Sequence, residues 1–236
     1  MIFGGLLAGG TGSRMETAVM PKQFIPVAGV PIFIRSLNTF LACDQISQVI
    51  ISTNVDWADQ YTRLLREFHV DESRVVLTPG GNSRFTSLVQ IAKKAMELSK
   101  DPEAVIVSHD CARIFVSKRI IEDNIAMMDR YEMVTTSIPT IDTMLQSDDG
   151  ECCSMVPDRS KLWCDQGPQS FRVGQFLKYV AQIPERDIPN YIEAGKVYLS
   201  HNRKIGIVRG DRYNFKVTND IDLKYAEFLI KDGAVQ

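Results

Sequence analysis

The densest group of chemistry-bearing residues lies near the start of the chain, in Leu7-Ala8-Gly9-Gly10-Thr11-Gly12-Ser13-Arg14-Met15, followed by Pro21-Lys22-Gln23-Phe24. Small residues of this kind let backbone N–H groups wrap a polyphosphate, and Arg14 and Lys22 supply the charge that a triphosphate requires. Two better-known loops are excluded by spacing. A Walker loop needs G-x-x-x-x-G-K-[ST] with a helix opening at the lysine, whereas Lys22 lies ten residues beyond Gly12 and follows a proline. The dinucleotide fingerprint fails because Gly10-Thr11-Gly12 runs into Ser13-Arg14-Met15 where a third glycine is required. On loop composition alone, a glycine turn flanked by solvated basic residues is the competing reading.

A second group is Ser108-His109-Asp110-Cys111-Ala112-Arg113, with Asp110 at the expected end of a buried strand. Strand ends are where chemistry sits in parallel α/β folds. From its local context alone, Asp110 also suits a helix N-cap or a turn. No Ser-His-Asp set of nucleophilic character stands out. The five cysteines, Cys43, Cys111, Cys152, Cys153 and Cys164, are odd in number and form no C-x-x-C pair, so they read as reduced thiols. The adjacent Cys152 and Cys153 have no electropositive neighbour in sequence to favour redox work.

The elements that must position these groups follow from hydrophobic periodicity. Ile2 to Ala8 is a continuous apolar run opening into glycines, as a buried parallel strand does. Strands are expected at 48–53, 74–77, 104–108, 133–138 and 204–209, and helices at about 32–41, from near Trp57, 83–98, 117–131, 173–182 and 220–231. In the helix over 83–98, Phe85, Leu88, Val89, Ala92, Ala95 and Met96 fall on one face. The rhythm changes between 140 and about 165, where Ser147-Asp148-Asp149-Gly150 marks a turn between two short strand-like runs, hence a projecting β-arm. Alternating strands and helices predict an α/β, Rossmann-like, mostly parallel open sheet with helices on both faces. The whole of 1–236 is expected to form one domain carrying that arm.

Composition agrees. The chain has 236 residues, 44% of them hydrophobic and 24% charged, which places it among ordinary globular proteins. Lys and Arg number 27 against 29 Asp and Glu, for a formal net charge of -2, so no global basic field exists to bind nucleic acid. The apolar start is too short for a membrane span and lacks the basic leader of a signal peptide, and a cytoplasmic location is expected by default.

The loop Leu-Ala-Gly-Gly-Thr-Gly-x-Arg-Met with Pro-Lys-Gln-Phe resembles the cytidylyltransferases that activate sugar-alcohol phosphates: the ribitol-5-phosphate cytidylyltransferases and their sister family acting on 2-C-methyl-D-erythritol 4-phosphate. Gly80-Gly81-Asn82-Ser83-Arg84, Ser108 to Arg113, Asp142-Thr143, Pro157-Asp158-Arg159, Gln166-Gly167-Pro168-Gln169 and Asn214-Phe215-Lys216-Val217-Thr218 fall in the same order and at the same spacing. The resemblance spans nearly the whole chain. It implies transfer of CMP from CTP to the phosphate of a polyol, with loss of pyrophosphate. Such a reaction needs positioning and charge neutralisation more than a covalent nucleophile.

By that resemblance Arg14, Lys22 and Lys216 are the catalytic cations around the triphosphate, with both lysines at the α-phosphate, and Asp110 holds Mg²⁺. Leu7, Ala8, Gly9, Gly10, Thr11, Gly12, Gly81, Asn82 and Ser87 correspond to nucleotide-binding positions. Asp142, Thr143 and Arg159, on or beside the arm, correspond to residues that bind the acceptor phosphate across a homodimer, and arginine suits a bidentate phosphate contact. His109 is expected to be structural, and Arg113 to give structural or electrostatic support.

Two acceptors stay open. The loop is one residue longer than the Ala-Gly-x-Gly-x-Arg-Met of the methylerythritol enzymes, Tyr213 stands where those carry aspartate, and Tyr191-Ile192-Glu193 replaces their Thr-Asp-Glu. These features favour D-ribitol 5-phosphate, with CDP-ribitol as product and teichoic acid or capsule synthesis as the associated pathway. Gly167 in place of threonine and Ile114 in place of proline depart from the ribitol pattern and leave another pentitol, pentulose or tetritol phosphate open. A nicotinamide oxidoreductase lacks its fingerprint here, and a non-catalytic binding subunit would require loss of Lys22, Asp110 or Lys216, all present.

Overall fold

The computed structural model describes residues 1–9 and 20–235. Strand β1 (Ile2–Leu7) is central, as its apolar run requires. After it come β2 (Pro26–Val27), β3 (Val30–Pro31), α1 (Ile32–Leu41), β4 (Gln48–Thr53), α2 (Ala58–Glu67), β5 (Val75–Pro79), α3 (Arg84–Ser99) and β6 (Val105–Asp110). The second half holds α4 (Lys118–Met127), β7 (Met133–Pro139), β8 (Trp163–Arg172), α5 (Val173–Val180), α6 (Ala194–Ser200), β9 (Gly206–Arg209) and α7 (Asp220–Lys231).

Seven strands form one sheet in the order β5-β4-β1-β6-β8-β7-β9, and β2 and β3 form a separate two-stranded ribbon. All pairings in the large sheet are parallel except those of β8, which runs antiparallel to both β6 and β7. The expected mostly parallel α/β sheet is therefore observed, with one reversed strand inserted. That strand has no counterpart in the periodicity reading. Gln166, Gly167 and Pro168 interrupt any apolar pattern, and they occupy an irregularity in which the β7 pairing jumps from Thr135–Gln169 to Ser137–Asp165.

Both faces are covered. One core packs α1, α2 and α4 around Leu6, Phe33, Phe40, Val49, Ile51 and Val107. The other packs α3, α5 and α6 around Phe3, Ile50, Ile91, Ile106 and Phe171. Adjacent glycines let helices from both sides approach β1 closely: a Cβ on Gly4 would lie 2.7 Å from Phe40 Cδ1, and one on Gly5 would lie 3.0 Å from Ile91 Cγ2. A third, smaller core sets α7 against β2 and residues 112–115.

The arm is more open than a hairpin. Between 140 and 162 the two runs meet at one isolated antiparallel bridge, Gln146 with Met155. The Ser147–Gly150 signal does make the turn, with Gly150 N–H donating to Ser147 Oγ at 2.9 Å. Residues 141–156 are all exposed, including the apolar Ile141, Met144, Leu145, Met155 and Val156.

Candidate active site at the carboxyl ends of the parallel strands

Register places the ends of three strands side by side: Leu7 is level with Ser52 on β4 and with Asp110 on β6. The chain leaving β1 is fastened immediately. Cys111 N–H donates to Leu7 O at 3.3 Å, Ala8 N–H donates to Ser52 O at 3.0 Å, and the Tyr61 hydroxyl donates to Ala8 O at 3.1 Å. Leu7 and Ala8 thus form the floor of the loop, with these main-chain groups engaged inside the protein. Gly10, Thr11, Gly12 and Arg14, also expected in the site, lie outside the described residues.

A notch opens beside this floor. Gly80 N–H donates to Thr53 O at 2.7 Å, and Gly81 N–H donates to Ser87 Oγ at 3.1 Å. No side chain fits at Gly81, where a Cβ would lie 2.3 Å from Thr86 Oγ1. The reason is the tight start of α3, a capping box in which Thr86 N–H donates to Ser83 Oγ and Ser83 N–H donates to Thr86 Oγ1. Gly9 borders the same notch, since a Cβ on it would come 4.0 Å from Ser87 Oγ. The structure therefore gathers Gly9, Gly81 and Ser87, with Asn82 exposed at the rim. It adds Ser52, whose buried hydroxyl has no hydrogen-bond partner among the described residues and lies 3.2 Å from where a Gly80 Cβ would stand. In sequence Ser52 is indistinguishable from any small strand residue.

Asp110 ends β6 between two cations. Arg84 Nε donates to Oδ1 at 2.8 Å and Lys216 Nζ donates to Oδ2 at 2.7 Å. Burial by itself would raise this carboxyl, but the Arg84 guanidinium and the Lys216 ammonium prevail and hold it well below the usual carboxylate range. It is an acceptor-only group at any working pH. Lys22 reaches the same end of the sheet, donating to Val217 O at 3.1 Å, next to Lys216. The two lysines, 194 positions apart in sequence, are brought to one place by the segment after β9, which is pinned through Val217 N–H to Ala112 O at 2.8 Å.

The neighbours of Asp110 are supports. Burial pushes the His109 imidazole down to about 4, leaving it neutral, and its Nε2 bonds Arg113 O at 3.0 Å. Burial likewise pushes the Cys111 thiol up to about 12, so it is no nucleophile. Arg113 donates to Asn214 O at 2.9 Å and so ties the β6 end to the segment carrying Lys216. On the same side of the sheet as α3, Gln169 and Glu193, both in strings quoted above, join Asp165 and Thr135, which no motif marked. Gln169 Nε2 donates to Asp165 Oδ2 at 3.1 Å and also to Glu193, and the Thr135 hydroxyl donates to Asp165. Burial first, then the charge of Asp165, raises the Glu193 carboxyl above its ordinary range.

The arm residues stand apart. Arg159, exposed on a short 3₁₀ turn capped by Asp158, donates to Ile141 O at 2.8 Å, next to Asp142 and Thr143. All three are exposed, and the structure brings them to one another.

The mostly parallel seven-stranded sheet, with these groups gathered at the carboxyl ends of its strands, is an α/β nucleotidyltransferase fold. Solved structures share the fold. The 4-diphosphocytidyl-2C-methyl-D-erythritol synthase of Anaerococcus prevotii superposes with a TM-score of 0.79 at 22% identity, covering 98% of this chain and 96% of that one. The 2-C-methyl-D-erythritol 4-phosphate cytidylyltransferase of Francisella tularensis gives 0.80 at 19%, covering 96% and 98%, and that of Thermus thermophilus gives 0.74 at 21%, covering 98% and 100%. Residues 5–232 match the family model of 2-C-methyl-D-erythritol 4-phosphate cytidylyltransferase, IspD, and the chain belongs to that family. It is a CTP-dependent cytidylyltransferase. Among the described residues, no helix is long and apolar enough to cross a membrane.

Proposed function

We propose that the chain transfers CMP from CTP to the phosphate of an acyclic polyol, with 2-C-methyl-D-erythritol 4-phosphate as the acceptor the family match supports best. The observation that carries the transfer chemistry is the convergence of Asp110, Lys216 and Lys22 beside the glycine notch. An acceptor phosphate oxygen forms a bond to the α-phosphorus of CTP. The bond from that phosphorus to the bridging oxygen breaks, and pyrophosphate leaves with the electron pair. Lys22 and Lys216 stabilise the charge that builds on the α-phosphate, Arg14 that on the leaving pyrophosphate, and the notch of Gly9, Gly81, Asn82 and Ser87 holds the base end of the nucleotide.

The residues suit Mg²⁺ in one way. No group of three or more His, Cys, Asp or Glu converges among the described residues, so those residues form no cage of protein ligands. An ionised Asp110 would supply one oxygen, with nucleotide phosphates and water completing the shell, as this ion prefers. Bound there, the ion would neutralise phosphate charge.

Ribitol 5-phosphate is the second reading. Its support is the additional residue in the loop Gly9-Gly10-Thr11-Gly12, together with Tyr213 and Tyr191-Ile192-Glu193, which depart from the methylerythritol pattern. In either case Arg159, Asp142 and Thr143 are proposed to serve the acceptor phosphate of a partner copy, because within one chain they contact the arm itself. The free thiols fit a reducing cytoplasm.

Pyrophosphate release from CTP, followed in parallel with methylerythritol 4-phosphate, ribitol 5-phosphate, ribulose 5-phosphate and no acceptor, tests all of this. Release with methylerythritol 4-phosphate supports the first reading and release with ribitol 5-phosphate the second. Silence with every acceptor refutes both.

A further inference from the structure

We propose that Arg84 is a positioning residue of the transfer site, holding the Asp110 carboxylate in place when Lys216 leaves it for the substrate phosphate. The inference rests on the functional reading above, which assigns Lys216 to the α-phosphate. In the structure that lysine is committed elsewhere, 2.7 Å from Asp110 Oδ2. To serve a phosphate it must give up this bond. The carboxylate it leaves is largely buried, with 13% of its side chain exposed, and a buried charge stripped of its partner is strongly destabilising.

Arg84 meets that difficulty by its geometry. It bonds the other carboxylate oxygen, Oδ1, at 2.8 Å, so its contact does not compete with that of Lys216. The far end of the same guanidinium donates to Ile192 O at 3.1 Å, which fixes the plane of the fork. Its backbone is equally fixed: Arg84 is the first residue of α3, directly after the capping Ser83. One side chain therefore joins the base-end notch, the Asp110 carboxylate and the segment leading into Glu193. With Arg84 on Oδ1, Asp110 would keep its orientation and one compensating charge when Lys216 leaves, with Oδ2 open to a divalent cation.

The test uses the full chain and four variants: Arg84→Gln, Arg84→Lys, Asp110→Asn and the Arg84→Gln/Asp110→Asn double variant. Steady-state pyrophosphate release gives kcat and KM, and titration calorimetry gives CTP affinity. Arg84→Gln is expected to lower kcat by about 10- to 100-fold while KM for CTP moves by less than about threefold, a split that a merely structural role does not produce. Arg84→Lys, which keeps the charge, should recover part of kcat. The double variant should be no slower than Asp110→Asn alone, because Arg84 acts through that carboxylate. Should Arg84→Gln melt below the assay temperature, Arg84→Lys alone carries the comparison of kcat with KM. Additive losses in the double variant, or an undiminished kcat in Arg84→Gln, overturn the inference while leaving an active wild type and its functional reading intact. A wild type silent with CTP and every acceptor overturns the functional reading and this inference together.

Discussion

At the scale of single residues, the site is a problem in placing charge. Under the proposed function, two lysines, one arginine and one carboxylate must sit within reach of a triphosphate without neutralising one another permanently. Lys216 pairs with Asp110 at 2.7 Å, and the proposed role of the two lysines gives a direct prediction. Lys216→Ala and Lys22→Ala should each lower kcat by about 100-fold or more, with an unchanged circular dichroism spectrum, because transition-state charge loses a preorganised donor. Retention of more than half the activity in either would remove that lysine from the chemistry. A second prediction concerns Glu193. Its pKa is raised in the folded state by burial and by Asp165, so the unfolded chain ionises first as pH rises, and the folded state loses stability between the ordinary carboxylate range and the raised value. Glu193→Gln keeps an acceptor for Gln169 and removes the titration. Its urea midpoint should gain on that of the wild type as pH rises above the ordinary carboxylate range. A difference independent of pH would mean that the carboxylate pair carries no such tension.

At the scale of elements, the work is done by the points where chain segments touch. The capping box that opens α3 shapes the notch and aims Arg84 at Asp110 in one stroke. Ser83→Ala should cost about 1 kcal/mol in denaturant unfolding, the usual size for a lost N-cap, and should weaken CTP binding as well. Loss of stability with unaltered affinity would show that the notch does not need the cap. The glycine pair of β1 is a matter of packing only. Gly4→Ala places a methyl 2.7 Å from Phe40 Cδ1, and an overpacked core of this kind loses about 1–3 kcal/mol. Equilibrium unfolding reads this directly, and kcat per folded molecule should not change.

At the scale of the whole molecule, the arm stands out by its exposure, which is continuous over 141–156. Its exposed Ile141, Met144, Leu145, Met155 and Val156 present an apolar surface, and its base borders a cavity of ≈ 430 Å³ lined in part by Thr140, Pro157, Leu162 and Trp163. In the proposed homodimer this surface would pack against the second copy. Replacing Met144 and Leu145 by Asp should turn a dimer into a monomer in sedimentation velocity and reduce the rate through Arg159 of the lost partner. A wild type already monomeric at micromolar concentration would end the arm proposal. What the sequence determined by itself is the framework: α1, β4 and α7 lie where periodicity puts them, because hydrophobic alternation is a local property written into successive residues. The same holds for the residue types at the ends of β1 and β6. What only the tertiary structure decided is non-local. The reversed strand β8 is polar and broken by Gly167 and Pro168, and it is a strand because β6 and β7 offer it backbone partners on both sides. Arg84, Ser52 and the Asp165–Glu193 pair became visible only when the chain crossed itself, since a salt bridge spanning 26 or 106 positions leaves no periodic trace in the sequence.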